Sequence, residues 1–348
     1  RLSYAILHQV SGEYRGKFGD FTAKLALRAP FFTRELNQYC YTTSVRGFVD
    51  CPNPGFDTAA YEAANPNAAP PVSRTLKYDK LLPNVGFIYD FTPELSFFGN
   101  YAKGLSVPGT DPLYASLFFD ANDPGANPTP ETTDSFDLGL RFQSGQIEAQ
   151  FGAWYTTYKN RLATAFDPEA NDGEGARVFR NLGTVDKWGL DGSVAWRPTR
   201  NSLLYIFGSY NDSEIKDDVQ NGTDGTGNPI FLPTAGKSES GTPQFSFGAR
   251  GQLAVGAFEF GAQVKHTGPR FVNDQNIPLA GDLFDGTPFT FDAKVPSYTL
   301  VDLDVRWTLG EFPTGGDVAL QLNVTNLFDE YYIGFFGGSL DEFGFAQI

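Results

Sequence analysis

The clearest pattern in the chain is a strict alternation of apolar and polar positions near its C-terminal end. Every second residue of one run belongs to a mostly apolar set: Thr299, Val301, Leu303, Val305 and Trp307. The positions between them include Asp302, Asp304 and Arg306, and a second alternating run follows at 318–325. A two-residue period is typical of β-strands with one apolar and one polar face. Two consecutive strands are therefore predicted here.

The same period recurs along the rest of the chain and predicts an all-β protein. Twelve strands are expected, at about 2–14, 21–28, 77–91, 95–105, 132–143, 147–156, 182–197, 203–212, 242–253, 258–264, 299–308 and 318–325. The last residues, Phe343 to Ile348, open a thirteenth. The pattern leaves the orientation of 203–212 open, because both sets of alternate positions are apolar there.

The strand at 132–143 has the cleanest alternation. Phe136, Leu138, Leu140 and Phe142 are predicted to point away from the concave side of the sheet. The polar positions between them are predicted to point into it: Asp137, Arg141 and Gln143. An apolar outer face and a polar interior are what a transmembrane barrel requires.

The connections between the predicted strands alternate between short and long. Every second connection is a tight turn, and the others are long polar segments such as 30–74, 106–131 and 213–241. The segment 30–74 is expected to be irregular. Short turns at one rim and long loops at the other are typical of bacterial outer-membrane barrels. Soluble sandwiches and propellers do not require such a segregation.

Aromatic residues are concentrated next to the short turns, on the face predicted to point outward. They are Tyr14, Phe21, Phe91, Phe142, Trp196, Phe258 and Trp307. Amphipathic rings at one rim are expected where a barrel meets the membrane interface. Strand-forming aromatics of a soluble core are the alternative, and the bunching favours the membrane.

Composition and charge narrow the possible classes. The chain of 348 residues carries 33 Phe, 16 Tyr, 38 Gly and 23 Pro. Since it has no run of 18 apolar residues, a transmembrane helix is excluded, whereas barrel strands need only about 9–11 alternating residues. A net charge of −15 argues against a nucleic-acid partner. The chain lacks Met and begins in a strand, so we interpret it as a piece of a longer protein.

Two cysteines, Cys40 and Cys51, lie in one polar segment. An even pair in a loop suits an oxidising compartment and a local disulfide. Half of a metal site is the alternative, but His8 and His266 are the only histidines and lie far away in sequence. A Cys40–Cys51 disulfide is therefore predicted.

Recognisable catalytic motifs are missing, so no enzyme activity, catalytic residue, cofactor or resident metal is predicted. Asp302 and Asp304 could suggest paired carboxylates for acid–base chemistry. They share the polar face with Arg306, which favours a hydrated network on the barrel wall. The Asp-, Asn- and Gly-rich loop 213–241 could hold Ca²⁺, although a solvated loop is favoured because its ligand spacing is irregular.

Several segments resemble those of a known family, the TonB-dependent outer-membrane receptors. The resemblance rests on N-L-F-D-E-Y-Y at 326–332, L-L-P-N-V-G at 81–86, Y-A-K-G-L-S-V-P at 101–108, P-E-T-T at 130–133, N-L-G-T-V at 181–185 and G-L-D-G at 189–192. It implies a 22-stranded barrel with an N-terminal plug, in the bacterial outer membrane. Residues 1–348 would then be a part of the barrel truncated at both ends, without plug or TonB box. Such a piece is not expected to close or transport alone.

The resemblance also implies a function. Receptors of this kind bind a scarce nutrient, most commonly an iron–siderophore complex, and import it with energy supplied through TonB. The expected partners are TonB, outer-membrane lipids and a small metal chelate. A passive porin-like channel and a surface-exposed β-rich binding module remain alternatives.

Candidate ligand-binding residues follow from location alone, near the long-loop rim on the predicted polar face. They are Arg28, Asn100, Lys103, Trp154, Tyr158, Lys265 and Thr267. The alternative is that each one only hydrates the wall or contacts the plug.

Overall fold

The computed structural model describes residues 2–42, 49–66, 68–110, 113, 129–167, 176–181, 183–223, 228–282, 287–311 and 315–334. Within these ranges the chain is almost entirely β-structure with one short helix. In the same ranges, none of the helical structure is both long and apolar enough to cross a membrane.

The elements, in chain order, are β1 (Leu2–Phe18), β2 (Phe21–Gln38), β3 (Tyr41–Thr42), β4 (Val49–Asp50), α1 (Thr58–Ala64), β5 (Val72–Asp79), β6 (Leu82–Asp90), β7 (Leu95–Ser106), β8 (Glu131–Gln143), β9 (Ile147–Lys159), β10 (Leu162–Asp167), β11 (Ala176–Asn181), β12 (Val185–Trp196), β13 (Ser202–Ile215), β14 (Val219–Thr223), β15 (Pro229–Leu232), β16 (Phe245–Val255), β17 (Phe258–Thr267), β18 (Arg270–Phe271), β19 (Leu279–Asp282), β20 (Pro288–Phe291), β21 (Lys294–Val295), β22 (Tyr298–Glu311) and β23 (Asp317–Val324).

One antiparallel sheet holds the long strands in the order β1-β2-β6-β7-β8-β9-β12-β13-β16-β17-β22-β23, and β5 also pairs with β2. These twelve strands correspond to the twelve predicted ones, so the predicted strand content and antiparallel order are confirmed. β1 and β23 stand at opposite ends of the described sheet, which is open, as expected of an incomplete barrel. The predicted start of a thirteenth strand lies outside the described residues.

The strand register defines two faces, because directly paired residues point to the same side of a sheet. We call the side that carries Phe136 the outward face and the side that carries Asp137 the inward face. Phe136, Leu138, Leu140 and Phe142 are 36–51% exposed and so are not packed in a closed interior. In β13 the register places Leu204 and Ile206 on the same outward face, and both are exposed.

The short connections are tight hairpins. Gly19 and Gly256 have φ of 64° and 63°, a conformation that glycine adopts without steric penalty. The seven predicted aromatic residues of this rim are all exposed, by 36–57%. Solvent-facing rings at the turn end agree with a membrane-interface girdle.

The expectation that 30–74 is irregular is wrong at both ends, because 30–38 and 72–74 belong to the long strands β2 and β5. β2 continues through Pro30 to Gln38, and β5 and β6 lie end to end along it with a single register. The two strands are separated at Lys80 and Leu81, opposite Pro30 and Ala29. Proline has no N–H to donate, so it fits where the neighbouring ladder is interrupted. Pro30 therefore marks a break in the partner strand and does not end its own strand.

Buried apolar residues are gathered where the long loops meet the strands. Leu36 packs with Leu113, Val185 packs with Ile215 and Val219, and Val272 packs with Val295. By register Leu36, Val185 and Ile215 belong to the inward face. The long loops are consequently anchored on the inward side of the rim.

The loop after β2 folds as a compact unit of its own. The predicted Cys40–Cys51 disulfide is present, with 4.2 Å between the two Cα atoms. Tyr41 donates a hydrogen bond to Glu62 over 2.7 Å, which raises the pKa of the Tyr41 phenol. Its ring also packs against those of Phe56 and Tyr61. The disulfide and the aromatic cluster together cross-link this loop internally.

Candidate ligand-binding face

A row of inward-facing residues crosses four neighbouring strands, β7, β8, β9 and β12. Asn100 pairs with Asp137, Asp137 with Trp154, and Trp154 with Gly189. Trp154 donates from Nε1 to Asp191 over 2.8 Å. A Cβ on Gly189 would approach the Trp154 ring to 2.5 Å, so the ring can lie along the wall only because residue 189 is glycine. The row offers an apolar surface flanked by polar groups.

Nearer the long loops, the inward face carries four charged residues and one tyrosine that we call the rim cluster: Glu131, Tyr158, Arg161, Lys187 and Glu239. Arg161 donates from Nε to Glu239 over 2.8 Å, and its Nη1 lies 3.1 Å from a Glu131 oxygen. Lys187 binds the second oxygen of Glu239. The Tyr158 ring lies 4.8 Å from the Arg161 guanidinium carbon and 5.1 Å from the Lys187 ammonium.

The rim cluster is partly buried and its charges balance. The side chains of Glu131, Glu239, Lys187 and Arg161 are 9%, 11%, 16% and 29% exposed. Charges with so little water require partners, because an unpaired buried charge is strongly unfavourable. In this arrangement the two cations, Arg161 and Lys187, share the carboxylate of Glu239.

Glu239 comes from a long loop that is itself fastened to a second loop. Asn276 accepts a hydrogen bond from the backbone N–H of Ser238 and donates one to its carbonyl, both over 2.8 Å. Asp274 accepts one from the N–H of Ser240, also over 2.8 Å. Asn276 has φ of 57°, a conformation that asparagine tolerates better than most residues. Segments 238–240 and 274–276 are therefore joined, and Glu239 ties them to the wall.

The N-L-F-D-E-Y-Y segment at 326–332 follows β23, the last strand of the described sheet. The Asn326 side chain accepts from the Glu330 N–H over 2.9 Å and donates to the Glu330 carbonyl over 3.0 Å. Its backbone N–H donates to Asp302 over 2.9 Å. The rings of Tyr298 and Tyr332 stack with centroids 4.5 Å apart. The segment is thus a turn that fastens the chain to the rim.

The family profile described as "TonB dependent receptor-like, beta-barrel" matches residues 3–327. The chain belongs to the TonB-dependent receptors. Among curated proteins, the metal-pseudopaline receptor CntO of Pseudomonas aeruginosa is 26% identical over 252 residues, which are 72% of this chain and 30% of that protein. The ferrioxamine receptor of Yersinia enterocolitica is 24% identical over 249 residues, 71% of this chain and 29% of that protein. The chain spans about a third of the length of these relatives.

Solved structures of such receptors share the fold. The siderophore receptor PiuA from Acinetobacter baumannii superposes with a TM-score of 0.64 at 17% identity, covering 96% of this chain and 41% of that one. The copper transporter OprC gives 0.64 at 12% identity, covering 95% and 44%. The predicted family, its antiparallel barrel and its outer-membrane location are confirmed. These similar proteins are receptors and transporters, not enzymes.

Six of the seven predicted ligand-binding residues lie on the inward face of the receptor wall. By register they are Arg28, Asn100, Trp154, Tyr158, Lys265 and Thr267. Asn100, Trp154 and Tyr158 lie on β7 and β9, with only β8 between them. Arg28 on β2 and the two residues on β17 belong to other parts of the sheet. Their role in ligand binding stays a prediction.

Lys103 is a correction, because it lies on the outward face. It pairs with Asp134, which is on the same side of β8 as Phe136, and its ammonium is 3.3 Å from an Asp134 oxygen. It was predicted to lie on the polar face. Near the long loops, however, the apolar belt has already ended, and the outward face carries ion pairs there.

Sequence reasoning missed the charged members of the rim cluster. Lys187 alternates with Trp188, so period-two counting alone could have assigned it to the inward face. Arg161 lies two residues after the end of β9, and Glu239 lies in a long loop without periodicity. Only the folded loop brings Glu239 to Arg161.

The carboxylates of the polar face serve as hydrogen-bonding and ion-pairing groups. Asp302 accepts a hydrogen bond from the backbone N–H of Asn326, and Asp304 lies 2.8 Å from Arg250. Asp217 and Asp218 accept from the backbone N–H groups of loop residues over 2.8 Å and 2.9 Å. In the described part of the chain, no group of three or more His, Cys, Asp or Glu residues is arranged to hold a metal ion. Residues 224–227 of the acidic loop lie outside that part.

Proposed function

We propose that this chain forms part of the barrel of an outer-membrane receptor that imports a metal chelate with energy delivered through TonB. An iron–siderophore complex is the first candidate cargo. Two curated relatives support this assignment by name, as receptors for metal-pseudopaline and for ferrioxamine. In this proposal the remainder of the receptor supplies the plug and the contact with TonB, and residues 1–348 supply barrel wall only.

The rim cluster is the observation that carries the proposal. It places Arg161 and Lys187 on the inward face near the long loops, where a ligand entering from outside would arrive. The anionic oxygens of a chelate replace the Glu239 carboxylate, since a guanidinium binds such groups through paired hydrogen bonds. Tyr158 and, further down the wall, Trp154 provide aromatic surface for the organic part of the chelate. Arg28, Asn100, Lys265 and Thr267 are secondary contacts.

The anchored loops favour a receptor over a passive channel. Two clusters of buried apolar residues on the inward face and the 238–240/274–276 junction hold long loops at the inward side of the rim. A passive pore needs an unobstructed mouth, whereas a receptor needs a structured one to recognise its ligand.

Uptake by the full-length receptor tests the proposal. A strain whose only receptor for chelated iron is this one is grown under iron limitation, and uptake of a panel of radiolabelled iron–siderophore complexes is measured. We expect saturable uptake of one class of chelate that stops when TonB is deleted or a protonophore is added. Uptake that continues without TonB would indicate a passive channel, and surface binding without uptake would indicate a binding module.

A matched pair of variants tests the site. Lys187→Gln should weaken chelate binding, whereas Lys24→Gln should not. Lys24 is also on the inward face but pairs with Glu13 near the short turns, at 3.0 Å. Equal affinities of both variants and the wild type would remove the rim cluster from the binding site.

A further inference from the structure

A second row of aromatic residues crosses the outward face near the long loops. Tyr101 pairs with Phe136, Phe136 with Tyr155, and Tyr155 with Trp188. Phe136, Tyr155 and Trp188 are exposed. Aromatic rows at both ends of an apolar belt mark the two membrane–water interfaces of a barrel. The level just beyond this row therefore faces lipid headgroups.

The next outward row, one step closer to the long loops, is polar on the five neighbouring strands β7, β8, β9, β12 and β13. Lys103 pairs with Asp134, Asp134 with Thr157, Thr157 with Asp186, and Asp186 with Glu214. Lys159 and Lys216 lie one step further along. This change from aromatic to ionic side chains fixes where the hydrocarbon ends.

At one end of the row, two lysines share one carboxylate. The ammonium of Lys103 is 3.3 Å from one Asp134 oxygen, and that of Lys159 is 3.5 Å from the other. Tyr101 donates its hydroxyl hydrogen to the same carboxylate over 2.8 Å. Among the described residues, two cations lie against one anion here, which leaves an excess positive charge. It faces outward, since the Lys159 side chain is 56% exposed and that of Asp134 only 16%.

At the other end of the row the balance is reversed. Lys216 lies 2.7 Å from Glu214 and 3.4 Å from Asp186, so two carboxylates surround one ammonium. The two ends lie at the same level of the same face and differ in the sign of their excess charge. Only the Lys103–Lys159 end is complementary to an anion.

We propose that Lys103 and Lys159 bind the phosphate of a phosphorylated headgroup in the outer leaflet of the membrane. Long loops of outer-membrane barrels are extracellular, so this rim meets the outer leaflet. Asp134 holds the two ammonium groups on either side of one carboxylate, close enough for the oxygens of a single phosphate to reach both. Lysine binds phosphate as a point charge and keeps donors available while it pairs with Asp134. The site is thus separate from the inward rim cluster.

Lipid binding by the full-length receptor tests this proposal. The wild type, Lys103→Gln/Lys159→Gln and Lys216→Gln are placed in nanodiscs of zwitterionic lipid that contain a phosphorylated glycolipid or its dephosphorylated form. Bound glycolipid is counted by native mass spectrometry. The double variant should bind the phosphorylated form more weakly, by roughly fivefold for each lysine removed. Lys216→Gln and the dephosphorylated lipid should show no such loss.

An arginine double variant and a competition with inorganic phosphate complete the test. Lys103→Arg/Lys159→Arg should restore binding, which separates loss of charge from loss of fold. Free inorganic phosphate should not displace the lipid, because the headgroup is also held by its place in the leaflet. Equal binding by the wild type and the glutamine double variant would overturn the proposal. Displacement by free phosphate would overturn its assignment to a lipid.

Discussion

Two charged groups on β8 and β9 lie near the same rim and face opposite sides. Glu131 of the rim cluster points inward and Asp134, only three residues along, points outward. The inward group is balanced and connects a loop to the wall through Glu239. The outward group stays within the sheet and has an excess positive charge. Charge is neutralised by the protein where loops cover it, and is presented to the surroundings where only membrane lies opposite.

The same contrast continues down the strands towards the short turns. The outward face presents large, exposed apolar side chains, such as Leu322, which is 65% exposed. The inward face presents polar groups and flat rings lying over glycines. The two faces of the sheet therefore suit different surroundings, lipid on the outward side and a hydrated interior on the inward side. Substitutions with similar chemistry should have different consequences on the two faces.

The largest effect is expected from a charge placed on the outward belt. Leu322→Arg in β23 should destabilise the full-length receptor by roughly 2–4 kcal/mol, because the guanidinium must leave the hydrocarbon or draw water into it. Asn323→Arg should cost far less, since Asn323 faces inward opposite Asp304. Reversible unfolding in lipid vesicles measures both. Equal penalties, or a larger one at Asn323, would mean that the two faces are interchanged.

A smaller effect is expected from the carboxylate that anchors the loop. Glu239→Gln leaves Arg161 and Lys187 against Glu131, and should favour opening of the loop by about 1–3 kcal/mol. Hydrogen exchange of the amides of 238–240 reports that opening. Glu214→Gln on the outward face is the control, and it should leave their exchange unchanged. Unaltered protection in Glu239→Gln would show that the loop is held by other contacts.

Two glycines of β12 give the finest comparison. Gly189→Ala should destabilise the receptor by about 1–3 kcal/mol, because the new Cβ would lie 2.5 Å from the Trp154 ring and 2.6 Å from the Tyr210 carbonyl oxygen. Gly192→Ala points outward, where the nearest atom is 3.7 Å away, and should be neutral or slightly stabilising. Urea unfolding midpoints of the two variants compare them. Equal midpoints would argue against close packing on the inward face.

The alternation of apolar and polar residues predicted the strands and their order because a barrel wall repeats one local rule. The alternation did not predict features that depend on a neighbouring strand or on the position of a residue relative to the apolar belt. Pro30 was predicted to end its strand, but β2 continues through it, and the interruption lies in the partner strand, between Asp79 and Leu82. Lys103 was predicted to lie on the inward face, although its position in the alternation matches that of Tyr101 on the outward face. Charge predicts the lipid face only within the belt, and not at its edge.

The candidate site was less predictable than the fold. Trp154 and Tyr158 could be assigned to the inward face from their place in an alternating strand. Glu239 could not, because it reaches Arg161 through a loop whose path depends on Asn276 and Asp274. Contacts between residues 78 positions apart in sequence leave no periodic signal.

The outward face of the wall, which carries Phe136, is assigned to the lipid side, and a label scan along β8 tests this assignment directly. Single cysteines are introduced from 136 to 143 in the full-length receptor, spin-labelled, and examined in membranes by paramagnetic resonance with oxygen and a water-soluble nickel chelate as relaxing agents. Labels at 136, 138, 140 and 142 should be relaxed mainly by oxygen, and those at 137, 141 and 143 mainly by the nickel chelate. Reversed alternation, or equal accessibility at both sets of positions, would contradict the assignment of the outward face to the membrane.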